Sequence, residues 1–199
     1  MCAARTLDPR DRVERTAYQL FSRHGTRAVG VNTLAEHAGV AKMTLYKHYP
    51  SKDDLVLAFL RRREELWTRT WLQNVTRGRR RGPAERLLAI FDLFDAWFRK
   101  PDFEACSFIK TLLEHSDPKH PVRTAVVGHI QEIRVLLIEL AAEAGARHPS
   151  RFAQQWQMLM MGSIVAAYAG ERDAARNAQQ VGAQLLESEG LHHARAGRS

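Results

Sequence analysis

The chain has 199 residues, of which 45% are hydrophobic and 26% are charged. These proportions are typical of a folded globular protein and exclude a disordered chain, a collagen-like repeat and a disulfide-rich scaffold. The 30 Lys and Arg residues outnumber the 22 Asp and Glu residues, and the excess lies in residues 1–82, which carry 17 basic and 8 acidic side chains, so this part is expected to bind a polyanion.

Four helices are predicted in the first part of the chain, because apolar side chains recur there at helical spacing. Asn32 and Ser51 are good N-cap residues, and Gly39 permits the left-handed conformation that often ends a helix. The predicted helices are one from Pro9 to His24, a short one between Asn32 and Gly39, one over Ala41–His48, and a long one that follows Ser51 and runs through Trp71.

The stretch Thr76–Pro83, which reads TRGRRRGP, has no apolar residue and predicts a loop. Five more helices are predicted after it, over Ala84–Lys100, Phe103–His115, Val122–Gly145, Pro149–Gly170 and Arg172–Glu189. No segment shows the alternation of a strand, so the predicted fold is all-α.

The segment Thr33–Tyr49, which reads TLAEHAGVAKMTLYKHY, has the spacing of a helix-turn-helix. Ala35 places a small side chain where the two helices cross, and Gly39, four residues later, permits a tight turn with positive φ. Val40 and Leu45 are expected to pack back onto the preceding helix. This arrangement predicts a second helix with one buried side and one free side.

The free side of Ala41–His48 is expected to enter the major groove of DNA as the recognition helix. Lys42 and Thr44 have side chains that suit base edges or phosphates, and Met43 suits a thymine methyl group. The sequence therefore predicts DNA binding by this helix.

The stretch LAEHAGVAKMTLYKHYPSKDDL resembles the DNA-binding signature of the tetracycline-repressor (TetR/AcrR) family, over residues 10–60. The resemblance implies that Tyr46, His48 and Tyr49 support phosphate contacts and packing. It also implies that Lys52 and the helix N-terminus beside it meet one phosphate. Ala41 stands where the family usually has Ser or Thr, so a helix cap is expected to be lost. The expected DNA-binding residues are Asn32, Thr33, Ala41, Lys42, Met43, Thr44, Tyr46, Lys47, His48 and Lys52.

For the C-terminal half, the resemblance implies a dimeric four-helix bundle formed by the last two helices, with an effector pocket enclosed by the middle ones. The segment Arg151–Ala169 supports this, because it combines large apolar side chains with small ones that allow close packing. The aromatic residues of this half line a ligand cavity or form an ordinary core. The expected ligand-binding residues are Phe91, Phe94, Trp97, Phe98, Phe108, Thr111, Leu112, Trp156 and Met160.

These expectations give a helix-turn-helix DNA-binding domain over residues 1–51, a helical effector-binding and dimerisation domain over 52–190, and a frayed tail over 191–199. The expected partners are a double-stranded DNA operator, a small-molecule effector and a second copy of the chain. The expected function is a repressor released from a palindromic operator by a small, largely apolar effector. The alternative is an architectural DNA-binding dimer without an effector, and an enzyme with an appended helix-turn-helix comes third.

Other classes of site have little support in the sequence. Cys2 and Cys106 are the only cysteines, so a disulfide framework is not expected and a reducing cytoplasm fits best. The uncharged run over residues 152–170 contains three glutamines, which favours a buried helix over a membrane span. His115 and His120 are too few for a metal site, and no catalytic motif accompanies Cys106. No metal, cofactor or enzymatic activity is expected.

Overall fold

The structure is a computed structural model that describes residues 8–69 and 82–191, with the backbone alone for 67–69. This part of the chain forms nine α-helices and one π-helical segment and contains no strand, so the predicted all-α fold is confirmed. The elements are α1 (Pro9–His24), α2 (Val31–Ala38), α3 (Lys42–His48), α4 (Lys52–Arg63), the π-helix Glu64–Arg69, α5 (Pro83–Phe98), α6 (Ser107–Glu114), α7 (Pro121–Ala144), α8 (Pro149–Tyr168) and α9 (Ala174–Ser188).

The described residues divide into two compact units. The first unit holds residues 8–68 and 107–127, and the second holds residues 69, 82–106 and 128–191. Helix α7 therefore contributes its first residues to one unit and the rest to the other. The domain boundary predicted after Ser51 stays a prediction.

Helices α1 to α4 form the core of the first unit by turning their apolar stripes toward one another. Phe21 of α1 and Phe59 of α4 meet edge to face, with their ring centroids 5.5 Å apart. Each fully buried side chain of this size stabilises the fold by about 1.5–3 kcal/mol. The core side chains that are at most 3% exposed include Val13, Ala17, Phe21, Leu34, Leu45, Leu55, Val56, Phe59 and Leu60.

The N-termini of α2 and α4 differ in how closely they follow the sequence prediction. Ser51 caps α4 in a capping box, because its hydroxyl accepts from the Asp54 amide at 3.1 Å and the Asp54 side chain accepts from the Ser51 amide at 2.9 Å. The cap predicted at Asn32 is wrong, since α2 begins at Val31 with Gly30 as its N-cap. Gly30 has no side chain to bond the helix, and Asn32 is exposed within the first turn.

In the second unit, α5, α8 and α9 pack around Trp156, which is fully buried. The ring of Trp156 lies 5.4 Å from that of Phe91 and 5.3 Å from that of Phe152. Gly182 of α9 faces the same indole, and a Cβ atom there would lie 2.8 Å from Trp156 Cη2. The absence of a side chain at this position therefore lets α9 approach the aromatic core closely.

The structure shortens the helix predicted over Phe103–His115, because α6 begins only at Ser107. Ala105 has φ +62°, which a right-handed helix cannot contain. The ring of Phe103 instead packs 5.1 Å from the rings of Trp97 and Phe98. Most of the loop predicted at Thr76–Pro83 lies outside the described residues, and Pro83 is the first residue of α5.

The uncharged run that includes α8 is part of the second unit's interior. Gln157 is 2% exposed, accepts a hydrogen bond from Arg134 Nε at 2.8 Å and donates one to the Ile130 carbonyl at 2.7 Å. Its polar atoms are therefore paired within the protein. Within residues 8–69 and 82–191, no helix has both the length and the apolar character that crossing a membrane requires.

We predict that acid destabilises the protein through His129, which is 6% exposed on α7. Burial lowers the pKa of His129 to about 4, and the nearby Glu132 offsets this only in part. An unfolded histidine has a pKa of about 6.5, so between pH ~6.5 and pH ~4 the unfolded state binds more protons than the native state. The free energy of unfolding should fall by about 3 kcal/mol as the pH decreases through this window.

Urea unfolding of the wild type and of His129→Gln at pH 7 and near pH 4 measures this effect. The glutamine does not titrate, so the variant should lose less stability between the two pH values. His148→Gln, at an exposed position, is the matched control and should retain the wild-type pH dependence. An equal loss in the wild type and in His129→Gln would show that another group causes the acid sensitivity.

Candidate nucleic-acid interface

The turn between α2 and α3 has the geometry that the sequence predicts. Gly39 adopts the left-handed conformation with φ +62° and ψ +39°. Its amide donates to the Glu36 carbonyl, and the Val40 amide donates to the Ala35 carbonyl, both at 3.0 Å. Ala35 is 6% exposed, so a small side chain does lie in the contact beside this turn. The turn fixes the direction in which α3 leaves α2.

A side chain from α1 holds the same turn. Arg12 Nη1 donates to the Gly39 carbonyl at 3.1 Å. A carbonyl that follows the end of a helix has no partner within that helix, and the guanidinium supplies one. Arg12 was not among the predicted site residues.

Helix α3 presents one buried side and one solvent side. Leu45 is fully buried, whereas Met43 is 81% exposed. Lys42 and Lys47 are exposed as well, and Lys42 Nζ lies 6.0 Å from the centre of the Tyr46 ring. The solvent side therefore carries two ammonium groups, a thioether and a phenol on one short helix.

The ten predicted DNA-binding residues all lie in the first unit, and none of them is buried. Thr44, His48 and Lys52 are half-buried, and the other seven are exposed. Ala41 is the N-cap of α3 and makes no side-chain cap, as its departure from the family pattern implies. That these ten residues contact DNA stays a prediction.

Tyr49, at the end of α3, is used within the unit. It is 5% exposed, and its hydroxyl donates to Glu14 Oε1 while accepting from Arg10 Nε at 3.4 Å. Burial raises the pKa of Tyr49, and the hydrogen bond to the Glu14 carboxylate raises it further. Tyr49 thus ties the end of α3 to α1, which matches the packing part of its predicted role.

Lys52 lies at the start of α4, where its ammonium group donates to the Arg27 carbonyl at 3.3 Å. Burial lowers the pKa of Lys52, whereas the carboxylates of Glu114 and Asp53 act in the opposite direction. The first turn of α4 is already capped by Ser51 and carries Asp53 and Asp54. A phosphate at this helix end would therefore rely on the ammonium group more than on the helix N-terminus.

A cavity of about 250 Å³ lies beside Lys52 in the first unit. His115 and His120 line it with their ring centroids 4.6 Å apart, and His120 Nε2 lies 3.3 Å from Asp53 Oδ2. Burial lowers the pKa of His115, and the neighbouring His120 lowers it further. The cavity therefore joins the turn after α6 to the start of α4 and to the turn after α1.

The predicted ligand-binding residues are divided between the units. Three of them lie on α6 in the first unit, namely Phe108, Thr111 and Leu112. The second unit holds Phe91, Phe94, Trp97, Phe98, Trp156 and Met160. In that unit Trp97 and Phe98 are half-buried and the other four are buried. Ligand binding by this set stays a prediction.

Four residues that shape the candidate interface were absent from the sequence prediction. The spacing of Arg10 and Glu14 predicts an ion pair on α1, but it carries no information on Tyr49. Glu114 accepts from the amides of Thr26 and Arg27, 88 and 87 residues earlier in the chain, and no local pattern indicates such a pairing. The four residues are Arg12, Glu14, Arg27 and Glu114.

Residues 15–59 match the sequence profile of the family described as "Bacterial regulatory proteins, tetR family". This segment contains α2 and α3 and most of α1 and α4. The ten predicted DNA-binding residues all lie within this segment, whereas Arg12, Glu14 and Glu114 lie outside it.

Two kinds of relative are similar to this chain. The HTH-type transcriptional regulator SAB2452 of Staphylococcus aureus (strain bovine RF122 / ET3-1) is 32% identical over 56 residues, which are 28% of this chain. The match spans 30% of the length of that curated relative. The crystal structure of SCO4454, a TetR-family transcriptional regulator from Streptomyces coelicolor, has 27% identity and a TM-score of 0.83 over 91% of this chain and 95% of its own.

A third similar protein was solved with DNA. It is a cysteine mutant of the TetR family transcriptional regulator CifR in complex with 26 bp double-strand operator DNA. Its identity to this chain is 18%, and the TM-score is 0.74 over 94% of this chain and 100% of the other. At this identity the likeness is one of fold.

Proposed function

Since the chain belongs to the tetR family of bacterial regulatory proteins, we propose that it is a transcriptional repressor that binds operator DNA as a homodimer in the cytoplasm and leaves it when a small effector binds. The observation that carries the proposal is the orientation of α3. Leu45 anchors its inner side, so Lys42 and Met43 face solvent. A short helix held this way behind a tight turn is the element that enters a major groove in helix-turn-helix proteins.

Four of the predicted DNA-binding residues divide by chemistry into two groups. Lys47 and Lys52 carry point charges that suit phosphates, which fix position and affinity without reading sequence. An ammonium group has three donors, so Lys52 retains donors for a phosphate while it bonds the Arg27 carbonyl. Lys42 and Thr44 lie in the first turn of α3, the part of a recognition helix that contacts base edges.

DNA binding should weaken steeply with salt, because phosphate contacts release bound counterions. With roughly 6–10 phosphates neutralised per dimer, affinity should fall about 10³–10⁵-fold between 50 and 200 mM salt. The probe is a duplex that the wild-type protein retains from a random-sequence pool. Fluorescence anisotropy at several salt concentrations measures the affinity and its salt slope.

Two variants separate the roles of the side chains. Lys52→Ala should weaken binding to all duplexes alike and reduce the salt slope by about 1 per subunit. Lys42→Ala should relax base preference at particular positions. Lys119→Ala removes the same charge from an exposed position outside α1–α4 and should change neither property. If Lys52→Ala changed base preference instead, the division between phosphate and base contacts would be wrong.

Helix α8 carries an exposed apolar stripe that suits a second copy of the chain. The four residues of the stripe recur at helical spacing along α8. A further exposed apolar side chain, Val181, lies on α9 and is 47% exposed. Large apolar patches are uncommon on monomers, and two copies in isologous contact would cover the stripe with itself. A dimer also supplies the second recognition helix that a palindromic operator requires. The stripe consists of Met158, Gly162, Val165 and Tyr168.

We predict that the wild-type protein sediments as a dimer at micromolar concentration. Val165→Glu should produce monomers, because each copy would bring a carboxylate into an apolar contact about the two-fold axis. Leu113→Glu is the matched control, since Leu113 is 79% exposed on α6, outside the proposed interface. A wild-type monomer at this concentration, or monomers in both variants, would overturn the proposed interface.

The aromatic side chains of the second unit support an effector that is largely apolar. Trp156 is fully buried, and its indole Nε1 has no hydrogen-bond partner within the described residues. A buried donor without a partner costs about 1–3 kcal/mol, and an effector with an acceptor at that point would recover this energy. We propose that the effector contacts this indole together with Phe91 and Met160.

The effector should weaken operator binding by the same factor as the operator weakens effector binding, because the coupling free energy between two sites is reciprocal. A ligand found by thermal-shift screening is titrated into the protein with and without the recovered duplex. The affinity for the ligand should be roughly 5–150-fold lower when the duplex is bound. Trp156→Phe keeps one aromatic ring, removes the pyrrole ring with its N–H group, and should weaken effector binding without changing DNA affinity. Equal effector affinities in the two titrations would contradict the proposal that an effector releases the protein from DNA, and would favour an architectural DNA-binding dimer.

A further inference from the structure

The turn between α1 and α2 is held by a carboxylate from another part of the chain. Glu114, the last residue of α6, accepts hydrogen bonds at Oε2 from the amides of Thr26 at 2.8 Å and Arg27 at 3.2 Å. The Thr26 hydroxyl donates to the same oxygen, and Thr26 is 2% exposed. Three donors converge on one carboxylate oxygen, so the position of this turn depends on Glu114.

The backbone on the other side of the carboxylate leaves room for it. Gly25 has φ +84°, and a Cβ atom there would lie 2.1 Å from Glu114 Oε1. Any other residue at this position would displace the carboxylate or the turn. The glycine therefore provides the space that the Glu114 side chain occupies.

The same turn holds Lys52. The Arg27 amide donates to Glu114, while the Arg27 carbonyl accepts from Lys52 Nζ at 3.3 Å. One residue thus links the carboxylate to the ammonium group through its two backbone polar groups. Glu114 also acts on Lys52 through space, because its negative charge opposes the lowering of the Lys52 pKa by burial.

We propose that Glu114 is a positioning residue for DNA binding, which sets the Arg27 carbonyl and thereby places the Lys52 ammonium group for a phosphate. The inference rests on the proposed function, since it assigns Lys52 to a phosphate. It adds that a helix outside the helix-turn-helix controls this contact. A shift of Glu114 by the length of one hydrogen bond would release the Thr26–Arg27 turn and allow the ammonium group to move.

A double-mutant cycle with Glu114→Gln and Lys52→Ala tests the inference on the full-length protein, with a duplex recovered from the random pool as the probe. Glu114→Gln should weaken DNA binding roughly 5- to 30-fold, which lies within the range of about 2- to 150-fold that coupling between residues in one hydrogen-bond network produces. It should also reduce the salt slope by about 1 per subunit, as loss of one phosphate contact does. In the Lys52→Ala background, Glu114→Gln should change the affinity less than about twofold.

Equal effects of Glu114→Gln in the two backgrounds, with an unchanged salt slope, would overturn the inference and leave Glu114 with a role in stability alone. Glu139→Gln, at an exposed position on α7, removes the same charge and should leave the affinity unchanged. If Glu114→Gln does not fold, the cycle is measured with Glu114→Asp, whose shorter carboxylate retains the charge. Failure of the wild type to retain any duplex would overturn the proposed function together with the inference, whereas an additive cycle overturns the inference alone.

Discussion

The left-handed turn at Gly39 is the constraint on which the candidate interface depends. A residue with a Cβ atom destabilises this conformation by about 1–2 kcal/mol relative to glycine. A Cβ atom here would also lie 3.3 Å from Arg12 Nη1. The turn lets α3 fold back so that Leu45 reaches the core. Because Leu45 is buried, the opposite side of the same seven-residue helix has to face solvent. One glycine therefore determines which side chains the protein offers to a partner.

Hydrogen bonds from outside the helix-turn-helix hold this unit in place. Arg12 bonds the α2–α3 turn, Glu14 receives the Tyr49 hydroxyl at the end of α3, and Glu114 holds the α1–α2 turn. Each of these contacts fixes one end of a short helix that has few internal hydrogen bonds of its own. Lys42 and Lys47 are exposed and make none of these three contacts, so a change at either lysine leaves the contacts in place.

Much of the first unit could be predicted from the sequence because its determinants are local. Apolar spacing defined α1, Ser51 marked the start of α4, and Gly39 marked the turn. The cap of α2 was misplaced because Gly30 acts through its backbone, which leaves no side-chain signal, whereas Asn32 is a strong cap residue by type. The start of α6 was predicted too early, because alanine is not a residue type that indicates a positive φ, whereas Ala105 has one.

The contacts that position the site were the part that the sequence did not predict. Glu114 and Thr26 are 88 residues apart, and their pairing follows from the packing of α6 in the first unit. Gly182 shows the same limit in the second unit, because its close approach to Trp156 depends on how α8 and α9 pack. The first case involves a turn backbone and the second a glycine. In each case the contact is made by a side chain from a distant part of the sequence, so the local sequence does not indicate it.

The DNA that the wild-type protein recovers from a random pool of duplexes tests most directly whether α3 reads sequence. The recovered duplexes should share an inverted repeat with half-sites about one helical turn, or a multiple of it, apart, and Lys42→Ala or Thr44→Ala should change the bases preferred within each half-site. Recovery of duplexes without a shared repeat, or of the same bases by the wild type and both variants, would contradict the assignment of α3 as the recognition helix.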